Sequence, residues 1–257
     1  MLVYLEILFI IILGSSLGSF FNVCIYRLPR KESIVFPASY CPACSNPIPK
    51  WLNIPLIGYF LTLGKCRNCG TKIHWHYPLV EFLTALLFLL LFLRLDAQFS
   101  FLFFKYAILI GFFIIIFFID SFHKIIPDIL SLPLIPLGIL SALHPFNDVS
   151  LFSSIVGGAA AFLLFYIISL AYWKLTGKIG LGGGDIKLIA GIGTFIGIAG
   201  ILFSILVSSI IAVVVMLLIR YDLRKEFPFG PFLISGTLLY IFLGYVIIDW
   251  YLNLFLL

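Results

Sequence analysis

Gly182-Gly183-Gly184-Asp185 runs without a break into Ile186–Ile219, IKLIAGIGTFIGIAGILFSILVSSIIAVVVMLLI, a stretch whose only charged residue is Lys187. As one helix it would measure about 50 Å against a hydrocarbon core of about 30 Å, which would demand extreme tilt. The stretch therefore reads as two membrane spans, split near Gly197 to Gly200. Asp185 stands at the mouth of the first. An ionisable residue there is costly, so it defaults to a functional assignment, and it needs a partner.

The rest of the chain agrees with a membrane setting. Of 257 residues, 63% are hydrophobic and only 11% charged, and the mean hydropathy is +1.20, which excludes an ordinary soluble domain. Met1 to Phe21 has no basic start and carries Glu6, so the expectation is a retained helix rather than a cleaved signal. Working along the chain, spans are expected at Leu2 to Tyr26, Pro78 to Leu93, Phe101 to Ile119, from Pro127 to about His144, at Leu151 to Tyr172, twice in the long run, and at Pro231 to Phe255. The fold class is an all-α polytopic membrane protein of about eight transmembrane helices. Pro127 suits a helix start, and Asp128 would favour its N-terminal dipole. The small residues Gly14-Ser15-Ser16 and Gly18-Ser19 suit close helix packing. The expected division is 1–26, a first helix; 27–77, a polar loop domain; and 78–257, a membrane core, with no internal repeat.

A net charge of +5 invites a nucleic-acid reading, but the placement of the cations decides otherwise. With eight spans, fourteen of the sixteen Lys and Arg residues fall on one side, leaving Arg94 and Lys105 on the other. The positive-inside rule then puts both termini outside, the polar loop in the cytoplasm, and Asp120, Asp128 and Asp185 at cytoplasmic ends of their spans. No nucleic-acid partner is expected; the lipid bilayer is.

Two groups carry chemistry. Cys41-Pro42-Ala43-Cys44 and Cys66-Arg67-Asn68-Cys69 form two CxxC pairs, the pattern in which four thiolates hold Zn²⁺ tetrahedrally. In a reducing cytoplasmic loop, zinc is favoured over disulfides, and four sulfur ligands make the site structural rather than catalytic. His74 and His76 are spare ligands, and Cys24 reads as a small core residue. The second group is Asp120 with Asp185. Two close carboxylates cannot readily both ionise, so one keeps a proton while the other draws one from water. Gly182 and Gly184 leave room for a substrate backbone beside Asp185. The plainer alternative is that each aspartate caps a helix or pairs with Lys124 or Lys187. Asp128 is a supporting candidate, because a helix start already accounts for it. No GxSxG, GxGxxG or P-loop is present, which leaves serine nucleophiles and nucleotides unsupported.

With these motifs in place, the chain resembles the bacterial type IV prepilin peptidases, polytopic enzymes grouped with the GxGD aspartic proteases, nearly end to end. Gly18-Ser19-Phe20-Phe21-Asn22-Val23-Cys24-Ile25-Tyr26-Arg27-Leu28-Pro29 is similar to the family's GSFLNVxIxRLP opening. Gly64-Lys65-Cys66-Arg67-Asn68-Cys69 and Tyr77-Pro78-Leu79-Val80-Glu81 resemble its GKCxxC and YPLVE blocks. Ile119-Asp120 with Ile126-Pro127-Asp128, Gly182-Gly183-Gly184-Asp185, and Phe229-Gly230-Pro231-Phe232 resemble its ID…IPD, GxGD and FGPF motifs. His76 departs from it, standing where an arginine commonly precedes the tyrosine. The resemblance implies an inner-membrane endopeptidase for prepilins and pseudopilins with Asp120 and Asp185 catalytic. It also implies N-methylation of the new N-terminus from S-adenosylmethionine, with Gly64, Lys65 and Glu81 associated with methylation. The competing class is a proton-coupled transporter using the two aspartates as a relay. Against it, such folds show inverted repeats and polar residues at mid-membrane, whereas these acids cluster at span ends.

Overall fold

A computed structural model describes residues 2–178, 180–220 and 228–255; the loop cations Arg224 and Lys225 lie outside the described residues. Eight α-helices follow in order: α1 Leu2–Arg27, α2 Ile57–Leu61, α3 His76–Arg94, α4 Phe101–His123, α5 Asp128–Ser141, α6 Leu151–Thr176, α7 Gly183–Leu218 and α8 Gly230–Phe255. Among the described residues the only β pairing is two isolated bridges, Tyr40 with Pro47 and Lys65 with Lys72. Among the described residues, six helices are long and apolar enough to cross a membrane, and α5 is a shorter apolar one.

Helix α7 is not continuous. Gly197, at φ 69° and ψ −172°, is non-helical and divides it into residues 183–196 and 198–218. With α7 counted as two, α1, α3, α4, α5, both parts of α7, α6 and α8 give the eight apolar segments expected from sequence. The break would strand backbone groups in an apolar medium, where each unpaired group is expensive. Helix α6 supplies their partners. Ser153 Oγ accepts from Ile198 N–H at 3.1 Å, and Ser154 Oγ donates to Thr194 O at 2.7 Å. Only a residue tolerant of positive φ fits at the break, and a methyl on Gly197 would lie 2.5 Å from Ser153 Oγ.

The chain forms two compact units, Met1–Ile115 and Ile116–Leu257. In the first, α1 packs on α3 through the small-residue patch: a methyl on Gly18 would lie 2.6 Å from the Cα of Glu81, and one on Gly14 2.7 Å from that of Ala85. Asn22 Nδ2 donates to Tyr77 O across the same pair. Arg27 ends α1 buried, with its guanidinium donating to Ser33 O and Ala38 O and lying over the Tyr40 ring. In the second unit α7 is the centre, packed by α5, α6 and α8. Gly157 and Gly193 bring α6 and α7 so close that a methyl on Gly193 would lie 2.6 Å from Gly157 O.

Span four is shorter than its sequence suggests. Pro127 sits in extended backbone as the cap before α5, not within it, and the helix stops at Ser141 after fourteen residues. That is about 21 Å, as is the first part of α7, against the roughly 30 Å of a hydrocarbon core.

Candidate active site and metal centre

Asp120 occupies the last turn of α4 and is only 4% exposed. The backbone N–H of Gly230, at the start of α8, serves as a donor to its carboxyl group, while Oδ2 is buried without a hydrogen-bond partner. A methyl on Gly230 would lie 2.6 Å from Asp120 Oδ2, so a larger residue there would push the Asp120 carboxyl aside.

Asp185 is placed by a helix start. Gly182 is the extended cap residue of α7, so Asp185 is its third helical residue, and its carboxyl accepts from the Gly182 backbone N–H. This is the reciprocal half of a capping box, in which the third residue reaches back to the cap amide. Oδ1 remains buried and unpartnered. Asp185 also lies close enough to Asp120 for the two charges to act on each other. The structure thus brings together two carboxyl groups, each anchored by a backbone amide and each with one oxygen free of partners. Such a pair can hold a single proton between them and polarise a water.

The plainer alternatives fare differently. Lys187 Nζ pairs with Asp128 Oδ1 at 2.7 Å rather than with Asp185. Asp128 is exposed and stands apart from the buried pair in its bonding, though it opens α5 as sequence suggests. Gly184 packs against Ile126, to whose Cβ a methyl would come within 2.8 Å. A groove of about 240 Å³, lined by Tyr166, Ser169, Leu170 and Trp173 of α6 with Leu181, Gly183 and Ile186, flanks Asp185 on both sides in sequence.

The four-cysteine cluster, which could hold a metal ion, is two copies of one turn. Cys41 N–H donates to Asn46 O and Ser45 N–H to Cys41 O; twenty-five residues on, Cys66 N–H donates to Thr71 O and Gly70 N–H to Cys66 O. Ile48 N–H to Ser39 O and Ile73 N–H to Gly64 O close the two knuckles in the same way. This local repeat escaped the sequence reading, although the equal offsets Cys41 to Cys66 and Cys44 to Cys69 carry its signal. The four sulfurs lie within 4.8 Å of one another, with Cys41 to Cys69 at 3.9 Å and Cys44 to Cys66 at 4.0 Å. A tetrahedral zinc site requires sulfur separations of about 3.8 Å. The residues fit the ion. Backbone amides of Cys69 and Asn68 lower the Cys66 thiol, and the Thr71 hydroxyl and amide bring Cys69 down to about 6. Burial instead pushes Cys41 up to about 11. His74 and His76 turn to each other, Nδ1 to Nδ1 at 2.7 Å.

Around the second knuckle, Gly64 takes φ 65° and lies buried, whereas Lys65 is exposed. Glu81 on α3 is half-buried; its Oε2 accepts from Leu56 N–H at 2.7 Å, and the Ser19 side chain also bonds it. Leu56 is held at φ 63° at the start of α2. Asp128 was expected as a supporting residue, whereas Gly230, Ile126 and the pairing of Asp128 with Lys187 were missed; only the FGPF and IPD blocks in the sequence pointed near them.

Fold and site together define a polytopic membrane protein with a paired-carboxylate centre and a four-thiolate loop. Residues 12–95 match the bacterial peptidase A24 N-terminal domain, and residues 107–217 match the type IV leader peptidase family. The chain is 37% identical to a prepilin leader peptidase/N-methyltransferase of Neisseria gonorrhoeae, covering 89% of this chain and 88% of that one. It is 34% identical to one of Aeromonas hydrophila, with 93% and 91% covered, and 33% identical to one of Pseudomonas aeruginosa, with 87% and 85% covered. No solved structure matches. The chain belongs to the type IV leader peptidase family.

Proposed function

We propose that this protein is an intramembrane aspartic endopeptidase that removes the leader of type IV prepilins or pseudopilins and N-methylates the new N-terminus. The observation that carries the peptidase assignment is the pair Asp120, buried, and Asp185, half-buried, mutually close and each with a buried, unpartnered oxygen. One carboxylate takes a proton from water as the water oxygen bonds to the scissile carbonyl carbon; the other, protonated, donates to the carbonyl oxygen. The tetrahedral adduct then breaks its C–N bond, with a proton passing to the leaving amine. Gly182, Gly184 and Asp128 support the site, Gly182 by leaving room beside Asp185 and Gly184 by admitting Ile126 against it. The pair faces the cytoplasm of the inner membrane, together with the loop 27–77, by the distribution of Lys and Arg. A transporter relay is disfavoured by family membership and by the position of both acids at helix ends.

The four cysteines would hold zinc as a structural ion that fixes the loop. For methylation, Gly64, Lys65 and Glu81 are the associated residues, and S-adenosylmethionine is the donor by family membership. Glu81, the one carboxylate of that group, is already engaged by Leu56 and Ser19, so these residues do not form a fitted cofactor site and no transfer step is assigned to them.

The decisive experiment is cleavage of a prepilin by the purified protein and its Asp120→Asn and Asp185→Asn variants. Both variants are expected to be inactive while folded. Turnover in either would overturn the assignment.

A further inference from the structure

Between the two aspartates in sequence lies Ile126, and it packs against Gly184, which precedes Asp185, and against Gly230, whose amide anchors Asp120. A methyl on Gly184, the residue before Asp185, would meet Ile126 Cβ at 2.8 Å and its carbonyl oxygen at 3.1 Å. A methyl on Gly230, whose N–H serves Asp120, would meet Ile126 Cδ1 at 3.1 Å and Asp120 Oδ2 at 2.6 Å. The near end of this side chain therefore rests on Gly184, the residue next to Asp185, and its far end on Gly230, the Asp120 anchor. A β-branched residue is stiff at χ1, which makes it a fixed spacer rather than a flexible filler.

The next two residues hold the spacer in place. Pro127, at φ −62° and ψ 135°, keeps Ile126 out of α5, and its carbonyl accepts from Leu130 and Ser131 N–H. Asp128 reaches Lys187 Nζ at 2.7 Å, two residues beyond Asp185 in the first turns of α7. With side chains 34% and 58% exposed, this ion pair contributes little to global stability. What it does is fix where the α5 entry sits against α7.

Resting on the di-aspartate reading above, we propose that Ile126-Pro127-Asp128 is a positioning clip that sets the separation of the Asp120 and Asp185 carboxyl groups, clamped by the Asp128–Lys187 ion pair. Displacing reacting groups by about 1 Å costs up to about a hundredfold in rate, so loosening the clip lowers kcat and leaves substrate affinity in place.

The test measures kcat and KM for prepilin cleavage by the full-length protein in detergent, with thermal unfolding of each variant as the folding control. Ile126→Ala is expected to lower kcat about tenfold with KM within about twofold. Ile126→Leu, which keeps volume but moves the branch, is expected to fold like the parent and still lose kcat. Asp128→Asn and Lys187→Gln should each lower kcat, and the exchanged pair Asp128→Lys with Lys187→Asp should recover most of that loss. Unchanged kcat in both Ile126 variants overturns the spacer. An exchanged pair as impaired as the single variants overturns the clamp, as does a rise in KM alone. Activity in Asp120→Asn or Asp185→Asn would instead remove the reading beneath the proposal, whatever the clip variants do.

Discussion

At Asp185 one oxygen is committed to a backbone amide and the other is free, and the same division holds at Asp120. A carboxyl so anchored keeps its orientation while remaining able to exchange a proton. Replacement by Asn retains shape and anchor but removes that exchange, so Asp120→Asn or Asp185→Asn should lower kcat by at least about a hundredfold with an unchanged unfolding transition. A fluorogenic prepilin peptide reads the first, and thermal denaturation in detergent the second. Gly230→Ala is the corresponding steric test: its methyl would intrude on Asp120 Oδ2, so cleavage should fall sharply while zinc content stays at the parental level. Parental activity in that variant would mean that Gly230 does not set the Asp120 side chain. The two aspartates were legible because charge is conspicuous against an apolar background. Gly230 and Ile126 were not, since an amide donor and a spacer act through distance, which residue type does not encode.

The break in α7 was legible too, through length: a run of that size overfills a bilayer, and the glycines near its middle are the residues able to interrupt it. What sequence left hidden was the repair. Ser153 and Ser154 look like ordinary polar residues near the start of α6, and only their pairing with Ile198 N–H and Thr194 O gives them a purpose. Ser153→Ala should destabilise the protein by about 1–3 kcal/mol, the cost of leaving a buried N–H unpaired. Gly197→Ala should destabilise it through both the positive φ and the contact with Ser153. Equilibrium unfolding in mixed micelles measures each; stability equal to the parent in both variants would argue that the break is closed by other means. The short α5 escaped for a related reason. Hydropathy marks where a segment is apolar and not where its helical hydrogen bonds start, and Pro127 moves that start to Asp128.

On the scale of the whole molecule, the tetracysteine loop and the aspartate pair fall in different compact units, so their losses should separate. Purified protein is expected to carry about one zinc per chain, lost in Cys41→Ser or Cys66→Ser. Metal-free parent protein with four titratable thiols would refute this. Because a zinc-bound thiol must be deprotonated, affinity falls as pH falls. Cys69, lowered to about 6, is already largely thiolate at neutrality, whereas burial keeps Cys41 protonated up to about 11, so zinc uptake near pH 7 should release protons, that of Cys41 among them. Calorimetry in buffers of different ionisation enthalpy counts them. The two short helices carry a further consequence. Helix α5 and the first part of α7, each about 21 Å, pack against each other, and α5 leaves Ile129, Leu132 and Leu140 uncovered. Hydrophobic mismatch of that size is met by thinning of the bilayer or by reach of the flanking side chains, and its cost is expected to grow with each added ångström of thickness. In vesicles of phosphatidylcholines of increasing acyl length, turnover should therefore decline as the chains lengthen, making membrane thickness a control on the rate of leader removal.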